Sequence, residues 1–397
     1  MGRIYRKNEA SILKILCFTG SRAEYYILKP LFTKLSEKEN VNLELIVSGG
    51  ITKEEHSQTL KDIKRDSIKI NSIIDIPNQH KTHPEMIGFL CLKLTPIITN
   101  FSPDLCIVYA DRYESFAFAT TATHLNNIIL HIEAGDITEG GTYDDYIRHC
   151  ITKMSHLFCT STGKGKEIVS RLGEEDWRAM QSGLLSYDDM ANITKKDQEI
   201  VLNQLSIFDS KPIIIATIHP IPRDESKTKK ESIEFFKALG RFSSSYDAHI
   251  FITSPNSDSG RNIIITEINQ LIDKNNHIKF VESFGGYKYQ TLMSLSCDRK
   301  VIICGNSSSV IKEAPFFNAL SLNVGSRQNG REYANTQVNC EANENIIFKE
   351  LEKLLSKERF PCKNPYYLKN ATELVIEFIF RSLKKYSKEK ILNKKWN

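Results

Sequence analysis

The sequence lacks the features that mark secreted, membrane-bound or disulfide-stabilised proteins. Its nine cysteines are scattered, and none forms a Cys-x-x-Cys pair. Several lie within apolar, strand-like runs, so we expect buried thiols in a reducing compartment rather than disulfides or zinc ligands. No apolar run reaches the length of a membrane span, and the N-terminus lacks the apolar core of a signal peptide. These absences predict a cytoplasmic protein without a membrane partner.

Two other kinds of site are also poorly supported. No basic stripe is interleaved with aromatic residues, so the net charge of +5 does not indicate a nucleic-acid partner. The ten histidines do not fall at metal-ligand spacings, and we expect neither a metal nor a cofactor. The mild positive excess suits an anionic substrate such as a nucleotide instead.

The order of apolar and polar segments predicts two α/β domains. Strands and helices alternate along both halves of the 397 residues, and the strands are apolar on both faces. Such strands are typical of parallel sheets with right-handed crossovers. The pattern loosens at residues 183–200. We therefore predict a Rossmann-like domain at 1–185, a second at 186–370, and at 371–397 a helix that returns to the first domain and a basic tail.

An acidic stretch follows one of the apolar strands. Residues 131–149 contain five carboxylates: Glu133, Asp136, Glu139, Asp144 and Asp145. Clustered carboxylates tend to raise one another's pKa values, which suits general acid/base chemistry. The alternative is a solvated acidic loop, since Asp144 and Asp145 lie where the first turn of a helix favours acids.

Two glycine-containing turns lie between a strand and a helix. Gly20–Glu24 is predicted to bind phosphate through its backbone N–H groups, with Arg22 as a clamp, although it lacks the G-x-G-x-x-G pattern of dinucleotide sites. The turn Gly305–Ser309, rich in serine, is the stronger candidate. The ends of parallel strands share one edge of a sheet, so Asp111-Arg112 and the acidic stretch should lie beside the first turn. Two Rossmann-like halves with anion-binding turns facing a cleft form the GT-B arrangement, which is used by enzymes that handle nucleotide sugars.

These motifs resemble those of the hydrolysing UDP-N-acetylglucosamine 2-epimerases of sialic-acid-type sugar biosynthesis. The likeness spans roughly residues 13–380. It rests on Thr19-Gly-Ser-Arg-Ala-Glu24, Asp111-Arg112, His131-Ile-Glu-Ala-Gly135, Tyr143–Lys153, His219-Pro220, Gly305–Ser309 and Gly325–Arg331. The run Asp144-Asp-Tyr-Ile-Arg148 stands where the non-hydrolysing enzymes have Pro-Glu-Glu-x-x-Arg, which favours the hydrolysing branch.

The resemblance implies a reaction and a set of residues that carry it. UDP would leave from C1 as the proton at C2 is removed, and water would add to the 2-acetamidoglucal to give N-acetylmannosamine. The resemblance also implies a homodimer or a dimer of dimers. The implied acid/base residues are Asp111, Glu133, Asp136, Asp144, Asp145 and His219. The implied substrate or nucleotide contacts are Arg22, Arg112, Asn256, Asp258, Gly305, Ser307, Ser308, Glu313 and Arg327.

Several alternatives stay open at this point. Which of Asp136, Asp144 and Asp145 is the acid/base is undecided, His219 could be satisfied by backbone, and Arg331 is expected to form only a surface salt bridge. Residues 285–289 are unusually rich in glycine for a loop that should face the base, so a UDP- or GDP-linked diacetamido sugar is an alternative substrate. A GT-B glycosyltransferase and an inactive nucleotide-sugar sensor are the alternatives from other functional classes.

Overall fold

Two parallel β-sheets flanked by helices make up the chain. The computed structural model describes residues 12–52, 57–80, 82–138, 143–221, 224–256, 259–358 and 360–395. Every strand pair in both sheets is parallel. The predicted α/β class with parallel sheets is therefore confirmed.

The first sheet has seven strands. They are β1 (Leu13–Thr19), β2 (Val41–Val47), β3 (Ile70–Ile73), β4 (Leu105–Tyr109), β5 (Ile129–Ile132), β6 (Leu157–Thr160) and β7 (Ala179–Gln181). The helices of this part are α1 (Arg22–Ser36), α2 (Ser57–Arg65), α3 (His83–Phe101), α4 (Tyr113–His124), α5 (Asp144–Met154) and α6 (Gly163–Arg171). The spatial order is β3-β2-β1-β4-β5-β6-β7.

The second sheet has six strands. They are β8 (Ile213–Thr217), β9 (His249–Thr253), β10 (Ile278–Val281), β11 (Val301–Gly305), β12 (Leu320–Val324) and β13 (Gln337–Cys340). Its order is β10-β9-β8-β11-β12-β13. The accompanying helices are α7 (Tyr187–Met190), α8 (Lys195–Gln204), α9 (Glu225–Ser245), α10 (Arg261–Ile272), α11 (Gly285–Ser294), α12 (Ser308–Lys312) and α13 (Glu344–Ser356), followed by α14 (Ala371–Lys385) and α15 (Lys388–Leu392).

The predicted loop at residues 285–289 is wrong, because these residues form the first half of α11. Gly285 has φ +70°, and its N–H donates to the Ser283 hydroxyl at 3.0 Å, which starts the helix. A Cβ on Gly286 would lie 3.0 Å from the Tyr26 ring of α1. Glycine is needed here for close packing between the two halves and not for a mobile loop.

Apolar side chains fill both faces of each sheet. The strands β4, β5, β8 and β11 are buried along their whole length. Helix α14 contributes Val375 and Ile379 to a core shared with β1 and β2. The Arg178 guanidinium, which is fully buried, donates to the carbonyl oxygen of Ile391 at 2.7 Å and so anchors the chain after α14. The domain boundaries at residues 185 and 370 stay predictions.

The direction of winding reverses once in each sheet, between β1 and β4 and between β8 and β11. At such a switch point the connections leave in opposite directions and open a crevice at the carboxyl ends of the strands, where ligands bind. The segments at these positions are Gly20–Arg22 and Asp111 in the first sheet, and His219 and Asn306 in the second. Topology alone thus places the predicted site residues at the two crevices.

The loop after β5 is held in a strained conformation. Glu133 has φ +62° although it is not glycine, and the neighbouring strand end has Ala110 at φ +49°. Residues in this left-handed region cost about 1–3 kcal/mol each and persist only where their surroundings fix them. Gly135, at φ +74°, lies so close to Gly165 that a Cβ would collide with the Gly165 carbonyl oxygen. The loop that carries Glu133 and Asp136 is therefore pressed against the start of α6.

Replacing Gly135 with alanine should destabilise the protein by more than about 1 kcal/mol, because the added Cβ requires a strained φ and a backbone shift. Gly88→Ala in α3 is the matched control: a Cβ there meets nothing within 4 Å. The control should stabilise the helix by about 0.5–1 kcal/mol. Urea unfolding followed by circular dichroism measures both effects, and equal midpoints for the two variants would contradict this view of the loop.

Candidate active site

A buried cluster of charges joins the acidic loop of the first half to the second half. The Lys312 ammonium lies 2.7 Å from Glu133 Oε2 and 2.8 Å from Asp136 Oδ2. Arg331 Nε lies 3.5 Å from Asp136 Oδ2. Only 6% of the Lys312 side chain and 5% of the Glu133 side chain are exposed. The expected surface salt bridge of Arg331 is therefore wrong, because its partner is a buried carboxylate of the acidic loop.

A second cation, Arg148, holds the other carboxylates. Its guanidinium is completely buried and pairs with Asp111 through Nη2. Nη1 donates to Asp145 Oδ1 at 2.8 Å and to the Asp136 carbonyl oxygen at 2.9 Å. Asp145 also accepts from the Thr138 N–H at 2.8 Å. The helix α5 thus fixes the positions of Asp111 and Asp145 through one arginine.

These cations change the protonation expected of the acidic stretch. Burial alone would raise the pKa of Asp136, but Lys312 and Arg331 together hold it below its usual value. The expectation that the acidic stretch raises some of its own carboxyl pKa values does not hold at Asp136. It is correct for Asp145, whose pKa is raised by burial. Burial also lowers the pKa of Arg148 to about 9.

His131 of β5 is hydrogen-bonded to the end of β4, and so connects the two strand ends that are followed by Glu133 and Asp111. Its Nε2 lies 2.8 Å from the Ala110 carbonyl oxygen, so Nε2 carries the proton and donates. Burial lowers the pKa of His131 to about 4, so the ring is neutral near pH 7. His131 is thus a structural residue at the start of the acidic stretch.

We call the carboxyl ends of the strands of the first and second sheets the first rim and the second rim. On the second rim, His219 is held by two asparagines. Its backbone N–H donates to Asn306 Oδ1 at 2.6 Å, and Asn306 Nδ2 donates to the His219 carbonyl oxygen at 2.9 Å. The Asn256 N–H donates to His219 Nδ1 at 3.0 Å, which leaves the ring proton on Nε2. Burial, with the charges of Arg327 and Arg22, lowers the pKa of His219 well below 6.5. The ring is thus a neutral hydrogen-bond donor near pH 7.

The serine-rich turn follows β11 on the same rim. Gly305 has φ +121°, and a Cβ there would collide with the Thr217 carbonyl oxygen, so only glycine fits. Ser307 caps α12 by accepting from the Ser309 N–H at 3.4 Å, whereas Ser308 is exposed. The helix is only five residues long. Its macrodipole is therefore small. The polar groups that this turn offers to a ligand are hydroxyls and individual N–H groups.

Two more predicted nucleotide contacts lie near this turn. Arg327 Nη1 donates to the Asn306 carbonyl oxygen at 3.3 Å. Glu313 follows α12 directly, and burial raises the pKa of its carboxyl group. Gln290 Nε2 lies 3.4 Å from Glu313 Oε1 and restrains it. A carboxyl group at this place can accept hydrogen bonds from hydroxyl groups.

The turn after β1 differs from the prediction. Glu24 Oε2 accepts from the N–H groups of Gly20 at 2.6 Å and Ser21 at 2.9 Å, so these donors are not available to phosphate. The signal was readable: Ser21-x-x-Glu24 is a capping box, whose glutamate returns to the start of its own helix. Arg22 instead extends to the Ser283 hydroxyl of the other half.

Arg112 and Glu114 form a pair beside Glu24. Arg112 Nε and Nη2 lie 3.0 and 3.2 Å from the two oxygens of Glu114, which is fully buried. Burial raises the pKa of Glu24 to about 7, an effect that Arg112 opposes. The crevice between β1 and β4 therefore contains two buried carboxylates that the sequence motifs did not single out.

Three acidic residues of the prediction, Asp144, Asp258 and Glu139, are still to be located. Asp144 is half-buried in the first turn of α5, next to Asp145. Asp258 and Glu139 lie outside the described residues. Within the described ranges, no three His, Cys, Asp or Glu side chains are grouped closely enough to bind a metal. No helix in that part of the chain is long and apolar enough to cross a bilayer.

Two facing parallel α/β sheets, with carboxylates on one rim and hydroxyl, amide and arginine groups on the other, define a GT-B-type protein. Residues 33–380 match the model of the UDP-N-acetylglucosamine 2-epimerase family, which covers most of the chain. The protein belongs to this family.

Similar proteins agree with this assignment. The chain is 29% identical to the hydrolysing UDP-N,N'-diacetylbacillosamine 2-epimerase of Legionella pneumophila, over 89% of this chain and 92% of that protein. It is 30% identical to polysialic acid biosynthesis protein P7 of Escherichia coli, over 95% of this chain and 96% of that protein. The UDP-GlcNAc 2-epimerase of Neisseria meningitidis, solved bound to UDP-GlcNAc, superposes with a TM-score of 0.79 at 16% identity, over 93% of this chain and 100% of that one.

The raised pKa of Glu24 predicts a specific dependence of stability on pH. A carboxyl group whose folded pKa is about 7 stabilises the fold only while protonated, and the contribution is lost as pH rises through 7. Glu24→Gln should therefore gain stability relative to wild type between pH 5 and pH 8, by up to about 3 kcal/mol. Urea unfolding at both pH values tests this, with Glu37→Gln, exposed at the end of the same helix, as the control. A difference between wild type and Glu24→Gln that does not change with pH would contradict the buried carboxyl.

Proposed function

We propose that the protein is a hydrolysing 2-epimerase that converts UDP-N-acetylglucosamine to N-acetylmannosamine and UDP. The observation that carries this proposal is the group of carboxylates on the first rim, which faces cations and hydroxyl donors of the second half. Family membership gives the nucleotide-sugar 2-epimerase chemistry. The hydrolytic outcome is supported by the name of the Legionella relative.

The reaction needs two proton transfers and a site for a leaving diphosphate. In the first step the C2–H and C1–O bonds break, C1=C2 forms, and UDP leaves while a carboxylate takes the C2 proton. In the second step water adds across C1=C2, and its hydroxyl joins C1. A proton is delivered to C2 on the face opposite to the one from which the first proton was removed, which inverts C2. Groups of two kinds are therefore required, a base and an acid near C2 and donors near the phosphates.

The carboxylates differ in their suitability for these transfers. We assign the acid/base roles to Asp111, Glu133 and Asp144. Asp145 is bound by Arg148 and Thr138, and Asp136 lies between Lys312 and Arg331. Asp111 and Glu133 each contact one cation, whereas Asp136 contacts two and Asp145 also accepts from the N–H and the hydroxyl of Thr138. Asp136 and Asp145 therefore suit support of the reacting carboxylates better than proton transfer, although both were candidates on the sequence.

The second rim suits the nucleotide. His219 offers an Nε2–H donor to the diphosphate, and its neutral ring is not an acid near pH 7. Glu313 is placed to meet the ribose hydroxyls. We assign further contacts with the nucleotide or the sugar to Arg22, Arg112, Asn256, Asp258, Gly305, Ser307, Ser308 and Arg327. Membership of a sialic-acid-type pathway, assembly as a homodimer or dimer of dimers, and a cytoplasmic location are predictions from the sequence.

One alternative substrate has a specific observation in its favour. The Legionella relative acts on UDP-N,N'-diacetylbacillosamine, as its name states. The same elimination and hydration would then take place on a UDP- or GDP-linked diacetamido sugar, because the chemistry at C1 and C2 is the same for both sugars.

An assay of three donors without any acceptor tests the proposal. The pure protein is incubated with UDP-N-acetylglucosamine and with UDP- and GDP-linked N,N'-diacetylbacillosamine, and released nucleotide and sugar are measured by NMR. We expect nucleotide and the 2-epimeric free sugar from at least one donor. Absence of nucleotide release from all three would refute the function. Release that requires an acceptor would indicate a glycosyltransferase, and UDP binding without turnover of any donor would indicate a sensor.

Asp111→Asn and Asp144→Asn should each lower kcat by at least about a hundredfold, because each removes a proton-transferring carboxylate. UDP affinity, measured by calorimetry, should change little, since most of the proposed nucleotide contacts belong to the other half. Asp273→Asn, an exposed aspartate at the end of α10, is the control. Because Asp111 pairs with Arg148, circular dichroism must accompany the assay. Loss of folding instead of turnover would mean that the residue is structural.

A further inference from the structure

Lys312 is a buried lysine whose carboxylate partners belong to the other half of the chain. It ends the short helix α12, and its neighbour Ile311 is buried in the core of the second sheet. Its carbonyl oxygen accepts from the Tyr187 hydroxyl, and its ammonium lies 5.8 Å from the centre of the Tyr366 ring. The backbone of Lys312 is therefore fixed in the second half, while its ammonium contacts carboxylates of the first half.

The ammonium of Lys312 contacts two carboxylates at once. Glu133 and Asp136 are three residues apart on the strained loop, and each has an oxygen within 2.8 Å of Lys312 Nζ. Two buried carboxylates that contact the same point would share a proton if no cation lay between them. Among the described residues, Lys312 is the cation that pairs with Glu133, whereas Asp136 has Arg331 as well.

Other charged and titratable groups around this pair come from several elements. Arg148, Asp145 and His149 lie on α5, and Tyr109 ends β4. Glu313 and Arg331 belong to the second half. Tyr187 and Tyr366, from the segments before and after the second sheet, lie close enough for Glu133 to affect their titration. Arg148 is shared by Asp111 and Asp145, and Lys312 is the cation in direct contact with Glu133.

We propose that Lys312 is a positioning residue of the epimerase reaction: its ammonium holds the Glu133 and Asp136 carboxylates side by side and offsets their charge. The proposal rests on the proposed function. It means that a residue of the second half sets the positions and the charge balance of two carboxylates on the first half. The lowered pKa of Asp136, which burial alone would raise, agrees with this arrangement.

The test is the pH profile of kcat/KM between pH 5 and pH 9 for wild type and Lys312→Gln. Removing the cation favours protonated carboxylates, so the acidic limb should move to higher pH by about one unit or more. Activity at pH 6 should then fall further than activity at pH 8.5, by up to about tenfold for each unit by which the limb moves. Lys274→Gln, exposed after α10, is the control and should retain the wild-type profile.

Two further variants separate positioning from folding and from substrate binding. Lys312→Arg keeps the charge and should keep the acidic limb near its wild-type position. If Lys312→Gln fails to fold, the double variant Asp136→Asn with Lys312→Gln leaves one buried carboxylate in this cluster instead of two, and its acidic limb should still be displaced. UDP affinity should be the same in wild type and variants.

The outcomes distinguish this proposal from the proposed function. If wild type turns over substrate and the acidic limb of Lys312→Gln is not shifted, the positioning role alone is overturned. A loss of activity that is equal at every pH, or a large loss of UDP affinity, likewise overturns it, because Lys312 would then be structural or bind phosphate. A wild-type protein that releases nucleotide from no donor overturns both proposals.

Discussion

The site depends on one constraint: the buried carboxylates of the first half must be balanced by buried cations of the second half. Glu133, Asp136, Lys312 and Arg331 are nearly excluded from water, and each is paired across the contact between the halves. Burying an ion pair seldom adds net stability, since the loss of hydration offsets the attraction. Removing one partner of such a pair costs about 3–5 kcal/mol. A cluster of this kind is therefore better explained by chemistry at the site than by a need for stability.

The fold brings these charges together by simple means. Each sheet reverses its winding once, and the strand ends at the reversal supply Asp111 and His219. His131 joins the ends of β4 and β5, where Ala110 and Glu133 take up left-handed backbone conformations. Contacts from Arg22 to Ser283 and from Lys164 to the Gly330 carbonyl oxygen connect the two halves near the site. Two of the left-handed non-glycine residues thus lie at the strand ends that carry Asp111 and Glu133.

Much of the architecture was predictable, because buried parallel strands are continuous apolar runs and are followed by turn residues. The strands β1, β2, β6 and β9 occur where the sequence places them. The rim positions of Asp111, Glu133 and His219 follow from that order alone. Helix α11 was missed because two glycines at its start resemble a loop, whereas they allow close packing against Tyr26.

The pairing of charges could not be derived in the same way. Lys312 and Glu133 are separated by 179 residues, and no local pattern shows which carboxylates a lysine reaches across a cleft. For the same reason the lowered pKa of Asp136 could not be foreseen, since the sequence shows its acidic neighbours but not the cations opposite. Glu24 differs: its capping box was legible, and reading it would have corrected the phosphate site proposed for Gly20.

The central claim is that the carboxylates exchange the C2 hydrogen with solvent while nucleotide leaves. Turnover of the accepted nucleotide sugar in D2O at neutral pH, followed by proton NMR of the released sugar, tests it most directly. The account predicts one deuterium at C2 of a sugar inverted at that carbon, with the same free sugar incubated in parallel to detect exchange after release. A product that keeps its C2 hydrogen and configuration would contradict the account, because nucleotide would then leave without proton transfer at C2.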